Sequence, residues 1–124
     1  RAEGLPEGTY LGTMGGKAAK YLLDEHRRGA CGNMPACDIV DINARIWNLL
    51  EKGEQTAAEE LYTRALPLTN MEYMYGHVLY KTVLKERGVI AHACVRTGGD
   101  NTLDEFDMLE LRRILKTLEA DFSV

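Results

Sequence analysis

At 124 residues the chain has room for one domain with a real core, and at 45% hydrophobic and 27% charged it has the composition of an ordinary globular protein. A formal charge of −4 with no offsetting basic face argues against nucleic acid or an anionic membrane as partner, and no apolar run reaches the length of a membrane span. Three cysteines, an odd count at unpatterned spacings, argue against a disulfide framework and for a reducing, cytoplasmic setting. The polar start Arg1-Ala2-Glu3-Gly4-Leu5-Pro6 lacks the apolar stretch of a signal peptide, and opening on Arg rather than Met fits a piece of a longer protein.

Residues 1–8 read as a loop. Thr9-Tyr10-Leu11-Gly12-Thr13-Met14 mixes β-branched, aromatic and aliphatic side chains and closes on Gly15-Gly16, the pattern of a short strand with a glycine turn. Over 17–28, Ala18, Tyr21, Leu22 and Glu25 fall at helical spacing. His26, Arg27 and Arg28 complement the negative end of the helix dipole, and Gly29 supplies the stop. The run from Ala30 to Ala36 is small and uncharged and carries a glycine and a proline. It fits a short buried strand in which backbone closely approaches backbone, and it equally fits a turn between two helices. On the first reading, strands at 9–14 and 30–34 joined by one helix make a βαβ crossover with a parallel pair.

From Asp38 onward the pattern is helical. Ile39, Ile42, Ile46, Leu49 and Leu50 form an apolar stripe ending at Gly53. Ala57, Ala58, Leu61 and Ala65 repeat it over 54–66, where Pro67 is expected to halt the helix. Met74, Val78, Leu79, Val83 and Leu84 predict a helix over 71–87 stopped by Gly88, followed by an irregular connector through 97–101. Thr102-Leu103-Asp104-Glu105 has the spacing of a capping box, and Phe106, Leu109, Ile114, Leu115 and Leu118 are the expected buried face of the last helix.

Signals for chemistry are sparse. Cys31 with Cys37, and His92 with Cys94, match no zinc spacing and no cysteine-protease signature, so neither a metal nor a cofactor is expected. Gly12-Thr13-Met14-Gly15-Gly16 ahead of a helix could cradle an anion, with Lys17 and Lys20 in support, but it is neither a P-loop nor a full dinucleotide fingerprint. Met71, Tyr73, Met74, Tyr75 and Tyr80 read as core or helix–helix interface, Trp47 as a packing anchor, and the acidic run 51–60 as a solvated face.

Gly29-Ala30-Cys31-Gly32-Asn33-Met34-Pro35-Ala36-Cys37-Asp38, the helix with Trp47, Leu66-Pro67-Leu68, and Lys81-Thr82-Val83-Leu84 with Gly88-Val89-Ile90 resemble the dihydrodipicolinate synthase/N-acetylneuraminate lyase superfamily. Within it the residues look closest to the 2-keto-3-deoxy-sugar-acid dehydratases of the L-2-keto-3-deoxyarabonate type. The resemblance implies a mostly α chain with one or two short parallel strands, the C-terminal portion of a (β/α)8 TIM barrel plus a three-helix C-terminal extension. Residues 1–53 would be the last two β/α units and 54–124 the extension.

The family forms a Schiff base between a strand-end lysine and the 2-keto group of its substrate, an electron sink for aldol cleavage or elimination of water. The resemblance implies no catalytic residue in this chain, since Lys17, Lys20, Lys52, Lys81, Lys85 and Lys116 fall on predicted helices. It implies substrate contacts at Thr13, Gly15 and Gly16 beside the seventh strand and at Cys31, Gly32 and Asn33 on the eighth. A barrel needs roughly 250 residues, so this chain alone is expected to be inactive. The full-length protein would act on a small 2-oxo acid without a cofactor. Arg96-Thr97-Gly98-Gly99 departs from relatives that follow Arg with a proline-containing turn. The expectation is a lyase (dehydratase or aldolase) fragment, with self-association into a homo-oligomer because strand edges and helix faces need cover. The alternative from a different class is a stand-alone helical assembly module.

Overall fold

Two strands of two residues each, β1 (Met14–Gly15) and β2 (Gly32–Asn33), pair in parallel, with Met14 opposite Gly32 and Gly15 opposite Asn33. Parallel partners cannot be joined by a hairpin, and here the connection is the helix α1 (Leu22–Arg27). The small, uncharged run is thus a strand rather than a turn between helices. The computed structural model describes residues 12–96 and 102–123; the expected loop over 1–8, the first residues of the 9–14 strand and the connector at 97–101 lie outside the described residues.

Four longer helices follow: α2 (Val40–Glu51), α3 (Gln55–Tyr75), α4 (His77–Glu86) and α5 (Glu105–Leu118). The molecule is mostly α with two short parallel strands, as expected. α3 is the axis, packing against α2, α4 and α5 and against the turn after β1. The core runs along it: Ile39, Ile42 and Ile46 from the α2 side, Leu61 and Leu68 from α3, Leu79 and Val83 from α4, and Leu111, Ile114 and Leu118 from α5 are buried. Among the described residues no helix is long and apolar enough to cross a membrane.

Five expectations are corrected. The predicted helix over 17–28 starts late. Lys17, Ala18 and Ala19 form a single turn with φ of 51°, 56° and 61°, closed by Ala19 N–H to the Gly16 carbonyl. Left-handed backbone costs a non-glycine residue about 1–2 kcal/mol. Burial of Ala19 and a hydrogen bond from the Tyr62 hydroxyl to the Lys20 carbonyl hold the turn in place.

Pro67 does not end its helix. It is exposed, as is Thr63, whose carbonyl it leaves without an intrahelical partner, while Leu68, Thr69, Met71 and Glu72 beyond it are all buried. The break comes instead at Gly76, whose φ of 55° and ψ of −127° suit only a residue without a side chain. That splits the expected 71–87 helix and leaves Met74 64% exposed.

The capping box lies two residues later than expected. The Asp104 side chain accepts from Asp107 N–H and the Asp107 side chain accepts from Asp104 N–H, so α5 begins at Glu105. The buried stripe of α5 is Leu111, Ile114, Leu115 and Leu118, at steps of three and four. Leu109 stands about 200° around the helix from Leu111, and both it and Phe106 are exposed.

Candidate functional site at the strand ends

Parallel pairing collects the six sequence-predicted residues on or next to one short ladder. The Cys31 N–H donates to the Thr13 carbonyl at 2.8 Å, and the Cys31 thiol reaches the same oxygen at 3.1 Å. Gly15 is the partner of Asn33 and Gly32 that of Met14, and Gly16 follows β1 directly. Thr13 and Cys31 are exposed, while Gly15, Gly16, Gly32 and Asn33 are half-buried.

Asn33 turns its side chain toward α1. Its Nδ2 donates to Glu25 Oε2 at 2.5 Å, and the other Glu25 oxygen accepts from Gly16 N–H at 3.4 Å. One carboxylate from α1 therefore ties both strand ends. A Cβ on Gly15 would fall on that carboxylate and 2.6 Å from Asn33 Nδ2, so glycine is required there for close approach. Sequence reasoning had placed Glu25 only on a helix face. Its role is set by the pairing of the strands, which brings residues eight and nine positions away onto it.

Chemically the patch offers backbone N–H and C=O groups, a thiol and a carboxylate–amide pair. These groups can donate and accept hydrogen bonds. An imine-forming amine is absent from the strands: Lys17 and Lys20 lie in the turn after β1, Lys52 at the end of α2, Lys81 and Lys85 on α4, and Lys116 on α5.

Behind the strand ends, where β2 runs into α2, lies a cluster that the sequence did not signal. Asp38 and Glu72 are both fully buried, and none of their four carboxyl oxygens finds a donor among the described residues. Burial, then the neighbouring Asp38 charge, pushes the Glu72 carboxyl up to about 9, and burial likewise raises Asp38. Glu72 therefore keeps its proton at neutral pH. Burial first, and then the neighbouring Glu72 and Asp38 carboxyls, raise the Tyr80 hydroxyl as well and keep it a donor.

Arg87 closes the far side. It donates to the Asp38 carbonyl, and its Nη2 and Nη1 meet the Asp41 carboxylate at 2.6 and 3.1 Å. Burial opposes the Asp41 charge, but Arg87 and the Ser123 N–H outweigh it and hold that carboxyl below its usual range. The Arg87 guanidinium also stacks 4.0 Å from the centre of the Phe122 ring. Trp47 packs as the expected anchor, edge-on to His26 with ring centres 4.9 Å apart. The tyrosine–methionine cluster divides. Met71 is core, Tyr75 bonds Asp107 at 2.8 Å across to α5, and Tyr73 and Met74 face outward.

No family model matches the sequence, and no curated protein matches it. Among solved structures the fold is similar to that of dihydrodipicolinate synthase from Rhodopseudomonas palustris, with a TM-score of 0.75 and 28% sequence identity. The match covers 82% of this chain and 34% of that one, so the chain spans about a third of the length of the protein it resembles. The short parallel pair and the helices behind it thus have the architecture of the C-terminal portion of that structure, the end of a TIM barrel with its helical extension.

Proposed function

We propose that this chain is the C-terminal portion of a class I, Schiff-base-forming lyase, a dehydratase or aldolase for 2-keto-3-deoxy sugar acids or related 2-oxo acids. The observation that supports it most is the similarity to a dihydrodipicolinate synthase across the strand pair and the helices together, at 28% identity. The run from Gly29 to Asp38, which carries the sequence resemblance, forms β2 and the entry to α2.

In this reading the nucleophilic amine comes from a part of the barrel outside this chain. That amine condenses with the 2-keto carbon and expels water. The resulting imine then withdraws electrons as a bond at the neighbouring carbons breaks. This chain contributes wall and support. Thr13, Gly15 and Gly16 border the hydroxyl-bearing end of the substrate, Cys31, Gly32 and Asn33 line the adjoining strand end, and Glu25 keeps the two strands in register. No cofactor is required, because the imine is the electron sink. A cytoplasmic, self-associating enzyme is the matching cellular form, and the exposure of Tyr73, Met74, Phe106 and Leu109 supports self-association.

The test is to incubate the natural-length protein with 2-keto-3-deoxy sugar acids and follow loss of substrate, with and without borohydride. Turnover abolished by borohydride only when substrate is present is the expected result. The same exposed apolar side chains favour a second reading, a helical assembly module without catalysis. Absence of both turnover and borohydride sensitivity, in a protein that self-associates, would select it.

A further inference from the structure

A second cavity, apart from the strand-end patch, lies where the turn after β1 meets the helical extension. It measures about 290 Å3 and is lined by Lys17, Lys20, Tyr21, Thr69, Tyr73 and Tyr80. The lining is one-sided: its side chains carry two ammonium groups and four hydroxyls, and among the described residues none on the wall carries a carboxylate. That is unusual in a chain of net charge −4, and none of the ion pairs among the described residues uses either lysine.

The cationic side is held in place. The left-handed turn at Lys17–Ala19 brings both lysines to the same cavity, and the Tyr62 hydroxyl fixes the backbone of Lys20. The Lys20 ammonium lies 4.9 Å from the centre of the Tyr73 ring and 6.0 Å from that of Tyr21, so aromatic faces rather than an acidic partner flank it. Thr69 from α3 and Tyr80 from α4 also line the cavity, the Thr69 hydroxyl donating to the Ala65 carbonyl of its own helix at 3.4 Å. The carboxyls that push neighbouring hydroxyls up are Asp38 and Glu72 at Tyr80 and Glu25 at Tyr62. Glu72 keeps its proton, which removes one of those negative charges.

We propose that this cavity is a binding site for a small hydroxylated oxyanion, a carboxylate or phosphate of a few carbons, held between Lys17 and Lys20 and hydrogen-bonded by Tyr80. The volume sets the size, since about 300 Å3 is the lower end of small-molecule pockets. The paired lysines set the charge, and the ring of hydroxyls, able to donate and accept, suits a ligand with hydroxyls of its own. The walls come from the turn after β1 and from both α3 and α4, so an occupant would brace the extension against the strand ends. The inference is independent of the lyase reading, because none of its residues belongs to the strand-end patch.

Calorimetric titration of the natural-length protein with inorganic phosphate, tartrate and the neutral polyol sorbitol tests it. Saturable binding of phosphate or tartrate and none of sorbitol is expected. Lys20→Gln and Lys17→Gln should each weaken binding about tenfold, Lys20→Arg should retain it, and Lys116→Gln, in a different cavity, should leave it unchanged. Thermal melts without ligand check that each variant is folded, and Tyr80→Phe, which removes a hydroxyl and no charge, should also weaken binding and stands in for a lysine variant that fails to fold. No saturable binding, equal binding of sorbitol, or equal loss in the Lys116 variant would each overturn the proposal.

Discussion

Glu72 sits on α3 with 1% of its surface exposed, beside an equally buried Asp38 just ahead of α2. Held up at about 9, against 4.5 for the free side chain, it keeps a proton in the folded chain that the unfolded chain releases. Stability is therefore highest below about pH 4.5 as far as this group is concerned, and it falls as pH rises through that window toward 9. The slope of a full proton is about 1.4 kcal/mol per pH unit. Urea unfolding between pH 6 and 8 should show a loss approaching this slope in the natural chain. Glu72→Gln, which keeps a donor toward Asp38 and cannot ionise, should flatten it. An unchanged slope in the variant would mean the proton lies elsewhere. At the strand ends, Gly15→Ala places a methyl on the Glu25 carboxylate and should cost about 1–3 kcal/mol. Glu25→Ala then relieves the clash, so the double variant should lose less than the sum of the two single ones. Strict additivity would deny the contact.

At the scale of elements, α3 is continuous where its sequence says stop and broken where its sequence gives only a glycine. Pro67→Ala should raise stability by about 1–3 kcal/mol without changing helix content, since the proline removes a hydrogen bond that burial beyond it has outweighed. Gly76→Ala should cost a similar 1–3 kcal/mol because of its backbone angles. Circular dichroism and denaturant unfolding of both variants read these outcomes directly. The strand pair, the α2 stripe and the stops at Gly29 and Gly53 were legible because their causes are local: spacing, a small-residue run, a glycine. What was hidden depended on partners distant in sequence. Pro67 is tolerated because its next turn is buried, and Asp38 and Glu72 meet only when α2 packs on α3. The face of α5 is chosen by what it packs against, so Leu111 went inside while Phe106 and Leu109 stayed out. Asp104 rather than Thr102 caps α5, where Asp107 also accepts from Tyr75. The six candidate ligand-lining residues rest on the family resemblance, and strand pairing sets them side by side, whereas Glu25, which ties both strand ends, became visible only once the strands paired.

For the whole molecule, two rungs of parallel sheet and a helical extension match a third of a dihydrodipicolinate synthase, and a barrel cannot be closed by two strands. The proposed function places the reactive amine on a barrel strand outside this chain, and none of the six lysines here is on a strand. The most direct measurement is mass-spectrometric peptide mapping of the natural-length protein after borohydride treatment with pyruvate. The proposed function predicts one reduced pyruvyl adduct, on a lysine that is none of Lys17, Lys20, Lys52, Lys81, Lys85 and Lys116. An adduct on one of these six, or none on the whole protein, would contradict it.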